Sequence, residues 1–331
     1  MNIKKSNLKT GVIGVGSMGS NHARVYSEIS NLVAVSEPNE KVGRSVAEKF
    51  GIEWYADYRD MLDKVDAVTI SVPTIYHREI AEEVATSGTH FLVEKPLSNT
   101  IEDAQAIISA SEKYKVIMAV GHIERYNPAV RSAWNNIDSG AWGNILSLTA
   151  NRFSNFPSRI KDVGVLFDLT IHDIDVLCYL AQSDVHSVYC TGGKLDGNDS
   201  EDFINLNINF DNGILGLCET NWVTPMKIRK LEIKTMNKFV KLDYQFQELE
   251  IFESNYKSFD NTNIFKSEIK VLNHKENIIK AEPLKLELLD FLNSISNNTI
   301  PLVSGLDGLQ AVKIAHHALK SMETNTITYL K

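Results

Sequence analysis

One stripe of ionisable side chains has the spacing that proton-transfer chemistry needs. The segment from residue 166 to residue 180 is mostly apolar, yet it carries four polar side chains spaced by four, three and four residues: Asp168, His172, Asp175 and Tyr179. A helix would bring this spacing onto one face. A carboxylate one turn before an imidazole can orient the ring, which makes His172 a candidate base and gives Asp168 a supporting role. The alternative is that His172 has only a structural role, and the pattern does not distinguish the two.

Lys95 is a second candidate for chemistry. It follows an apolar run that ends at Val93, and it stands between Glu94 and Pro96. If the run is a buried strand, its carboxyl end faces the crevice in which open α/β sheets bind ligands. An ordinary ion pair at a loop is the alternative. The histidine stripe lacks an apparent third ligand at metal-binding spacing, so the sequence predicts no metal site.

Short apolar runs recur through the first third of the chain and indicate the elements that must position Lys95. They occupy residues 11–13, 32–35, 67–70, 91–93 and 116–120, with helix-like stretches between them. Charge-free runs of this length are typical of parallel strands buried on both faces. Their alternation with helices predicts a doubly wound parallel sheet of the Rossmann type.

The turn after the first run carries a glycine pattern that favours a dinucleotide. Gly14, Gly16 and Gly19 would permit a tight turn, close approach to a pyrophosphate and close helix packing. The N–H groups of Ser17 and Met18 would then face the phosphates at the helix N-terminus. Glu37 ends the second run, 18 residues after Gly19, where its carboxylate can accept both ribose hydroxyls and repel a 2′-phosphate.

These features predict NAD rather than NADP as the cofactor. Arg44 lies close to Glu37 in sequence and moderates that preference. A glycine-rich turn without a ligand is the alternative. The ends of the third and fifth runs, Val72-Pro73-Thr74 and Gly121-His122, would border the same crevice.

The pattern changes after about residue 122. Residues 203–210 alternate strictly between apolar and polar types, and Asp211-Asn212-Gly213 forms a hairpin signal. Further alternating runs reach residue 252, which predicts an antiparallel sheet. We therefore expect a Rossmann domain over 1–122 and an α+β domain over 123–331 with an open, mainly antiparallel sheet. Its polar, asparagine-rich face is expected to serve either as a subunit interface or as solvent-exposed surface.

Composition excludes several partner classes. The 331 residues carry 34 Lys and Arg against 42 Asp and Glu, a formal charge of −8, which disfavours nucleic acid as a partner. No apolar run has the length of a membrane span, and the N-terminus lacks the apolar core of a signal peptide. Three widely spaced cysteines indicate buried thiols in a reducing cytoplasm. We expect a soluble cytoplasmic protein that acts on a small molecule.

Taken together, these motifs resemble the Gfo/Idh/MocA family of NAD(P)-dependent sugar oxidoreductases. The resemblance covers nearly the whole chain and rests on motifs in family order: residues 14–19, Glu37, Val72-Pro73-Thr74 with His77, Glu94-Lys95-Pro96, Arg125-Tyr126-Asn127-Pro128, the stripe from Asp168 to Asp175, and 301–309 with Ser321. Glu37 departs from the more usual Asp and reaches one methylene further.

The resemblance implies a role for each of these residues. Lys95 would lie beside the nicotinamide and donate to the developing carbonyl oxygen, His172 would act as the base, and Asp168 would position the sugar or His172. Glu94 would anchor the nicotinamide ribose. The remaining residues divide into cofactor contacts, Val72, Pro73, Thr74, His77 and His122, and substrate contacts, Arg125 and Asn127. The family also implies dimers or tetramers formed through the second sheet.

Residues 120–130 are most similar to the branch of the family that oxidises C3 of UDP-N-acetylglucosamine. A diphosphate needs cations or backbone donors, for which Arg152, Arg159 and Lys161 are candidates. Alternatives are a dehydrogenase of another sugar or an inositol, an NAD-dependent glycosidase, and a non-catalytic NAD or sugar sensor.

Overall fold

The chain folds into two compact units. The computed structural model describes residues 5–156, 163–195, 198, 200–254 and 271–330. Unit 1 consists of Met1–Tyr126 and Glu282–Lys313, and unit 2 consists of Asn127–Ala281 and Ile314–Lys331. The sequence predicted two continuous domains, 1–122 and 123–331. In the structure, residues 282–313 belong to unit 1.

The helices and strands have the following bounds. The helices are α1 (Ser17–Ile29), α2 (Glu40–Phe50), α3 (His77–Thr86), α4 (Ile101–Tyr114), α5 (Pro128–Asp138), α6 (Ile171–Ala181), α7 (Pro283–Asn297) and α8 (Gly305–Thr324). The strands are β1 (Lys9–Ile13), β2 (Asn31–Ser36), β3 (Glu53–Tyr55), β4 (Ala67–Ile70), β5 (His90–Glu94), β6 (Met118–Gly121), β7 (Ile145–Asn155), β8 (Val185–Gly193), β9 (Phe203–Phe210), β10 (Leu215–Asn221), β11 (Val223–Thr235), β12 (Lys238–Asp243), β13 (Glu248–Ser254), β14 (Val271–Lys275) and β15 (Thr328–Tyr329).

Unit 1 contains the predicted doubly wound sheet. Its strands run in the order β3-β2-β1-β4-β5-β6, and every neighbouring pair is parallel. Phe91 and Val93 belong to one apolar core, whereas Leu92 belongs to the core on the opposite face. Because both faces are buried, the strands need apolar residues at successive positions, which explains the continuous runs in the sequence.

Helix α7 completes unit 1 by covering one of these faces. Leu288 and Phe291 pack in the same core as Val12 and Tyr26. The spacing of these α7 residues gives the helix an apolar stripe. This packing explains why a segment so far along the chain belongs to the first unit.

Unit 2 is built on one mixed sheet. The described strands run in the order β14-β13-β12-β11-β7-β10-β9-β8-β15. Their neighbours are antiparallel except for β7 and β10, which are parallel. In β9, Ile204 and Leu206 are buried while Asn205 and Asn207 are exposed, so the alternation and the mainly antiparallel sheet are confirmed. None of the helices in the described part of the chain combines the length and apolar character needed to cross a bilayer.

The helix expected over residues 166–180 differs from an ordinary α-helix at its start. Leu166–Thr170 forms a π-helical turn, and the α-helix α6 begins only at Ile171. A π turn accommodates one extra residue, so Asp168 and Asp175 do not share a single straight α-helical stripe. Such turns are rare and occur often at functional sites.

A buried ion pair joins the sheet of unit 2 to α6. Arg152 donates from Nε and Nη2 to the two carboxylate oxygens of Asp173, at 2.8 and 2.9 Å. Both side chains are 1% exposed, and the guanidinium lies 5.2 Å from the ring centroid of Tyr244. The predicted contact between Arg152 and a substrate diphosphate therefore finds no support in this geometry, because Asp173 already occupies the guanidinium fork. Arg159 and Lys161 lie outside the described residues.

We expect Arg152→Met to lower the free energy of unfolding by about 3–5 kcal/mol, because it leaves the buried carboxylate of Asp173 without its counter-charge. Adding Asp173→Leu should recover most of this loss, since both charges are then removed. Urea unfolding of the two variants measures the effect. An unchanged midpoint for Arg152→Met would contradict a structural role for the pair.

Candidate cofactor site and catalytic residues

The three glycines of the loop after β1 perform different tasks. Gly14 has φ +82°. A Cβ atom there would lie 2.6 Å from the Ser71 carbonyl oxygen. At Gly19 a Cβ would lie 1.9 Å from the Gly14 carbonyl oxygen, so this residue lets α1 contact the loop backbone. Gly16 has open space around its Cα and is exposed together with Ser17 and Met18. An anion can therefore approach the N-terminus of α1, whose first turn carries no acidic residue.

The carboxylate of Glu37 is held at the end of β2 by backbone donors. Its Oε2 accepts from the Val15 N–H and its Oε1 accepts from the Asn39 N–H, both at 3.1 Å. Each oxygen retains a further lone pair for a ribose hydroxyl. Arg44 pairs with Glu40 at 2.7 Å and lies over the Trp54 ring, so its guanidinium already has partners other than a 2′-phosphate.

A cavity of about 510 Å³ lies beside this carboxylate. Its lining combines the predicted cofactor residues with side chains that the sequence did not single out: Gly14, Gly16, Glu37, Val72 and Pro73 with Pro38, Ala56, Tyr58, Arg59 and Tyr76. Its size is in the range of small-molecule sites, and the aromatic rings and proline offer flat apolar surfaces. The loop, the helix N-terminus, Glu37 and the cavity together fit the adenosine diphosphate part of NAD.

His77, whose contact with the cofactor stays a prediction, connects two loops at the rim of the site. It is buried, and its Nε2 lies 3.0 Å from the Val72 carbonyl oxygen. Its Nδ1 lies 3.0 and 3.2 Å from the carbonyl oxygens of Pro96 and Leu97. Burial lowers the pKa of His77, although these carbonyl oxygens favour its protonated form. The histidine thus fixes the loop after β4, including Thr74, against the loop after β5.

Glu94 is also buried, and its partner was missed by sequence reasoning. Its Oε1 lies 2.7 Å from Nε2 of His22 in α1, and its Oε2 accepts from the Lys95 N–H at 3.1 Å. Lys95 itself is half-buried. His22 stands three residues after Gly19 in a helix with buried neighbours, and that placement is the only signal the sequence offered for it.

The other predicted contacts of this region are packed inside the protein. His122 is buried. Arg125 pairs with Asp307 at 2.9 Å; burial opposes ionisation of Asp307, but Arg125 and Ser304 hold its pKa below the usual value. In unit 2, Asn127 caps α5 through the Ala129 N–H and donates to the Tyr244 carbonyl oxygen at 3.0 Å. These contacts give Arg125 and Asn127 structural roles, and ligand contacts by them stay predictions.

In unit 2 the polar stripe divides into an accessible part and a packed part. Asp168, in the π turn, and His172, in α6, are half-buried. Asp175 is buried, while Tyr179 stacks on Trp134 with ring centroids 5.6 Å apart and accepts from Arg131. A ligand of unit 2 can therefore reach Asp168 and His172; Tyr179 is half-buried as well, but its ring and hydroxyl are engaged by Trp134 and Arg131.

Glu201 holds the turn that carries Asp168, and sequence reasoning missed it. Its Oε1 accepts from the Leu166 N–H at 3.0 Å, and its carbonyl oxygen accepts from the Val165 N–H at 2.9 Å. Gly164 leaves room for the Glu201 carboxylate, since a Cβ there would lie 2.1 Å from Oε1. A carboxylate at the start of a helical segment satisfies N–H groups that have no intrahelical partner.

The cysteines give no indication of thiol chemistry. Cys178, Cys190 and Cys218 are all buried and free. Burial raises the pKa of Cys190 to about 12 and that of Cys218 well above its usual value. Among the described residues, no group of three or more His, Cys, Asp or Glu is arranged to hold a metal ion.

Comparison with known proteins identifies both parts of the chain. A family model described as an oxidoreductase family with an NAD-binding Rossmann fold matches residues 8–122, and a Gfo/Idh/MocA C-terminal domain model matches residues 130–237. UDP-N-acetylglucosamine 3-dehydrogenase of Acidithiobacillus ferrooxidans is 28% identical over 308 residues, which cover 93% of this chain and 95% of that protein. Its solved structure has a TM-score of 0.86 at 27% identity, over 96% of this chain and 98% of that one. The scyllo-inositol 2-dehydrogenase (NAD(+)) of Bacillus subtilis is 29% identical over 334 residues, covering 95% and 94%.

The contacts of Glu37 generate a prediction about cofactor choice. Glu37→Ser should weaken NADH binding about 10-fold and reduce the preference over NADPH, because it removes a charged acceptor for the ribose hydroxyls and the repulsion of a 2′-phosphate. Fluorescence titration with both cofactors measures this, and Glu48→Ser on the exposed face of α2 is the matched control. Equal losses for NADH and NADPH would contradict the assignment.

Proposed function

Because the chain belongs to the Gfo/Idh/MocA family of NAD-binding oxidoreductases, we propose that it is a dehydrogenase acting on C3 of UDP-N-acetylglucosamine, which it converts to the 3-keto nucleotide sugar. Family membership and the similar proteins make the chain an NAD-dependent enzyme of the sugar and inositol dehydrogenase family. The choice of UDP-N-acetylglucosamine is supported by the similarity to the Acidithiobacillus enzyme along nearly the whole of both chains. The motif over residues 120–130 supports the same substrate.

Removing hydride from a secondary alcohol requires that its hydroxyl proton leave as well. When bound, NAD supplies the hydride acceptor. In the proposed mechanism His172 takes the proton. Lys95 donates a hydrogen bond to the oxygen as it becomes a carbonyl, and Asp168 orients the sugar or His172. General-base assistance contributes about 10²–10⁴-fold to such reactions.

The observation that carries the proposal is the dinucleotide site of unit 1, with the half-buried Lys95 directly after β5. Unit 2 separately carries the half-buried His172. Lys95 follows β5 directly and its backbone is fixed by Glu94. His172 follows the π turn whose start is held by Glu201. A sensor that binds NAD or sugar without turnover would need neither a lysine nor a histidine at such supported positions.

An inositol is the second candidate substrate. The Bacillus subtilis inositol dehydrogenase has nearly the same percentage identity to this chain as the Acidithiobacillus enzyme, 29% and 28%. An inositol carries no diphosphate and needs no cations to bind it. Because Arg152 is committed to Asp173, a UDP-sugar would depend on other donors for its diphosphate.

We also propose that copies of the chain associate through the exposed face of the unit 2 sheet. Asn205 and Asn207 of β9 lie on that face, as does the exposed Leu215 of β10. The β9 part of this face carries polar, uncharged side chains, while Glu219 of β10 and Lys230 of β11 add charges to the same face. A mixed polar surface with scattered apolar residues is compatible with an interface between copies.

The proposed substrate is tested with a panel of UDP-N-acetylglucosamine, other UDP-sugars, free aldoses and inositols, each with NAD and NADP. We expect NADH formation with UDP-N-acetylglucosamine, measured at the nicotinamide absorbance with a carbonyl trap that pulls the reaction forward. Turnover of an inositol alone would replace the proposed substrate, and glycoside cleavage without net NADH would indicate a glycosidase.

The proposed chemistry is tested with Lys95→Ala and His172→Ala. Each should lower kcat by about 10²–10⁴-fold while NADH binding remains, because each removes a group that acts on the reacting oxygen or its proton. Lys113→Ala and His186→Ala, at exposed positions of α4 and β8, are the matched controls. Near-normal turnover in both catalytic variants would remove Lys95 and His172 from the mechanism.

A further inference from the structure

A buried histidine and a buried carboxylate join the first helix of unit 1 to the end of β5. Nε2 of His22 lies 2.7 Å from Oε1 of Glu94. The His22 side chain is 0% exposed and that of Glu94 is 10% exposed. A charged hydrogen bond shielded from water in this way constrains the positions of both side chains. Removing one partner costs free energy because the other is left buried without a hydrogen bond.

The direction of this hydrogen bond follows from the state of the carboxylate. Burial alone would raise the pKa of Glu94, but the hydrogen bond from His22 and the charge of Lys95 hold it below its usual value. Glu94 is therefore ionised at neutral pH and can only accept hydrogen bonds. Nε2 of His22 accordingly carries the proton and donates it.

The fold leaves a space shaped for this carboxylate. Glu94 pairs with Gly121 across β5 and β6. A Cβ atom on Gly121 would lie 3.0 Å from Oε2 and 3.1 Å from Cα of Glu94, which is tighter than ordinary contact. The absence of a side chain at Gly121 thus allows the Glu94 carboxylate to turn toward His22.

The second oxygen of the same carboxylate reaches the chain that carries Lys95. Oε2 of Glu94 accepts from the Lys95 N–H at 3.1 Å. One carboxylate is therefore bonded on one side to α1, whose N-terminus faces the pyrophosphate site, and on the other to the residue that begins the loop after β5. Both bonds are made by the same carboxylate, at 2.7 and 3.1 Å, so a change at His22 moves Glu94 and with it the start of this loop.

We propose that His22 is a positioning residue that, through Glu94, fixes the nicotinamide half of the cofactor relative to the pyrophosphate held at the start of α1. The inference rests on NAD binding by this family and not on the identity of the sugar. His22 touches neither part of the cofactor in this proposal. Its effect is confined to the half of NAD that lies beyond the phosphates.

The test compares two ligands that share the adenosine diphosphate group. NADH carries the nicotinamide riboside and ADP lacks it, so the affinity ratio isolates the nicotinamide half. Isothermal titration with His22→Leu should show NADH binding weakened about 10-fold with ADP binding within about 2-fold of the wild type, because Glu94 loses its donor and turns or becomes protonated. His22→Gln, whose amide nitrogen reaches a similar point, should restore NADH binding to within about 3-fold.

Two further variants separate positioning from stability. Tyr26→Phe, one turn along α1, removes a buried hydrogen bond between the hydroxyls of Tyr26 and Thr69 and lowers the melting temperature without touching Glu94. We expect it to leave the NADH to ADP affinity ratio unchanged. Gly121→Ala displaces Glu94 while retaining His22, and we expect the same selective loss of NADH binding as with His22→Leu.

Two results would overturn the proposal. Unchanged NADH binding in His22→Leu would show that the pair does not influence the nicotinamide half, and equal losses for NADH and ADP would show only a distorted glycine loop. If His22→Leu does not fold, His22→Asn, whose shorter side chain cannot reach Glu94, takes its place, and Gly121→Ala tests the position of Glu94 separately. Because neither titration includes the sugar substrate, failure here is distinct from failure of the substrate proposed above.

Discussion

The contact between the glycine loop and α1 is the constraint on which the cofactor site depends. At Gly19 the helix backbone approaches the Gly14 carbonyl oxygen so closely that any side chain would collide with it. This approach brings the exposed helix N-terminus to the end of β1, and it also brings Val15 within reach of the Glu37 carboxylate at the end of β2. The proposed phosphate and ribose contacts thus share one backbone arrangement, so a side chain at Gly19 would disturb both.

Buried polar side chains extend this arrangement across the sheet edge. His77 links the loops after β4 and β5, and Glu94 links α1 to the second of them. Loops carrying ligand contacts are usually the more mobile parts of a domain. Here each is held by a hydrogen bond whose loss would leave a buried polar atom unsatisfied, which favours a single conformation. The rim of the site is therefore set before a ligand binds.

The parts of the fold that local pattern determines were predicted from sequence. The runs around Val68 and Leu92 had to be apolar because both faces of their sheet are covered, and the alternation of β9 follows from one covered face. Strand β3, Glu53–Tyr55, was missed because three residues at a sheet edge carry too little periodic signal. The apolar stripe of α7 specifies a helix but not the surface it covers, so its return to unit 1 depended on tertiary packing.

The residues of the candidate site fall into two groups. Some were predicted from their spacing in the sequence, and others were identified only from their contacts in the folded structure. Lys95 and His172 stand out because their neighbours in sequence create a recognisable pattern. His22 and Glu94 are 72 residues apart, Leu166 and Glu201 are 35 apart, and neither pair has a local signature. The π turn before His172 is similarly invisible, because an extra residue in a turn changes no hydrophobic period until the chain is built. Groups that do chemistry must have distinctive side chains, so their residue types stand out in a sequence. Groups that hold them in place need only lie at the right distance in the folded protein. A single sequence does not contain the distances between residues that are far apart along the chain.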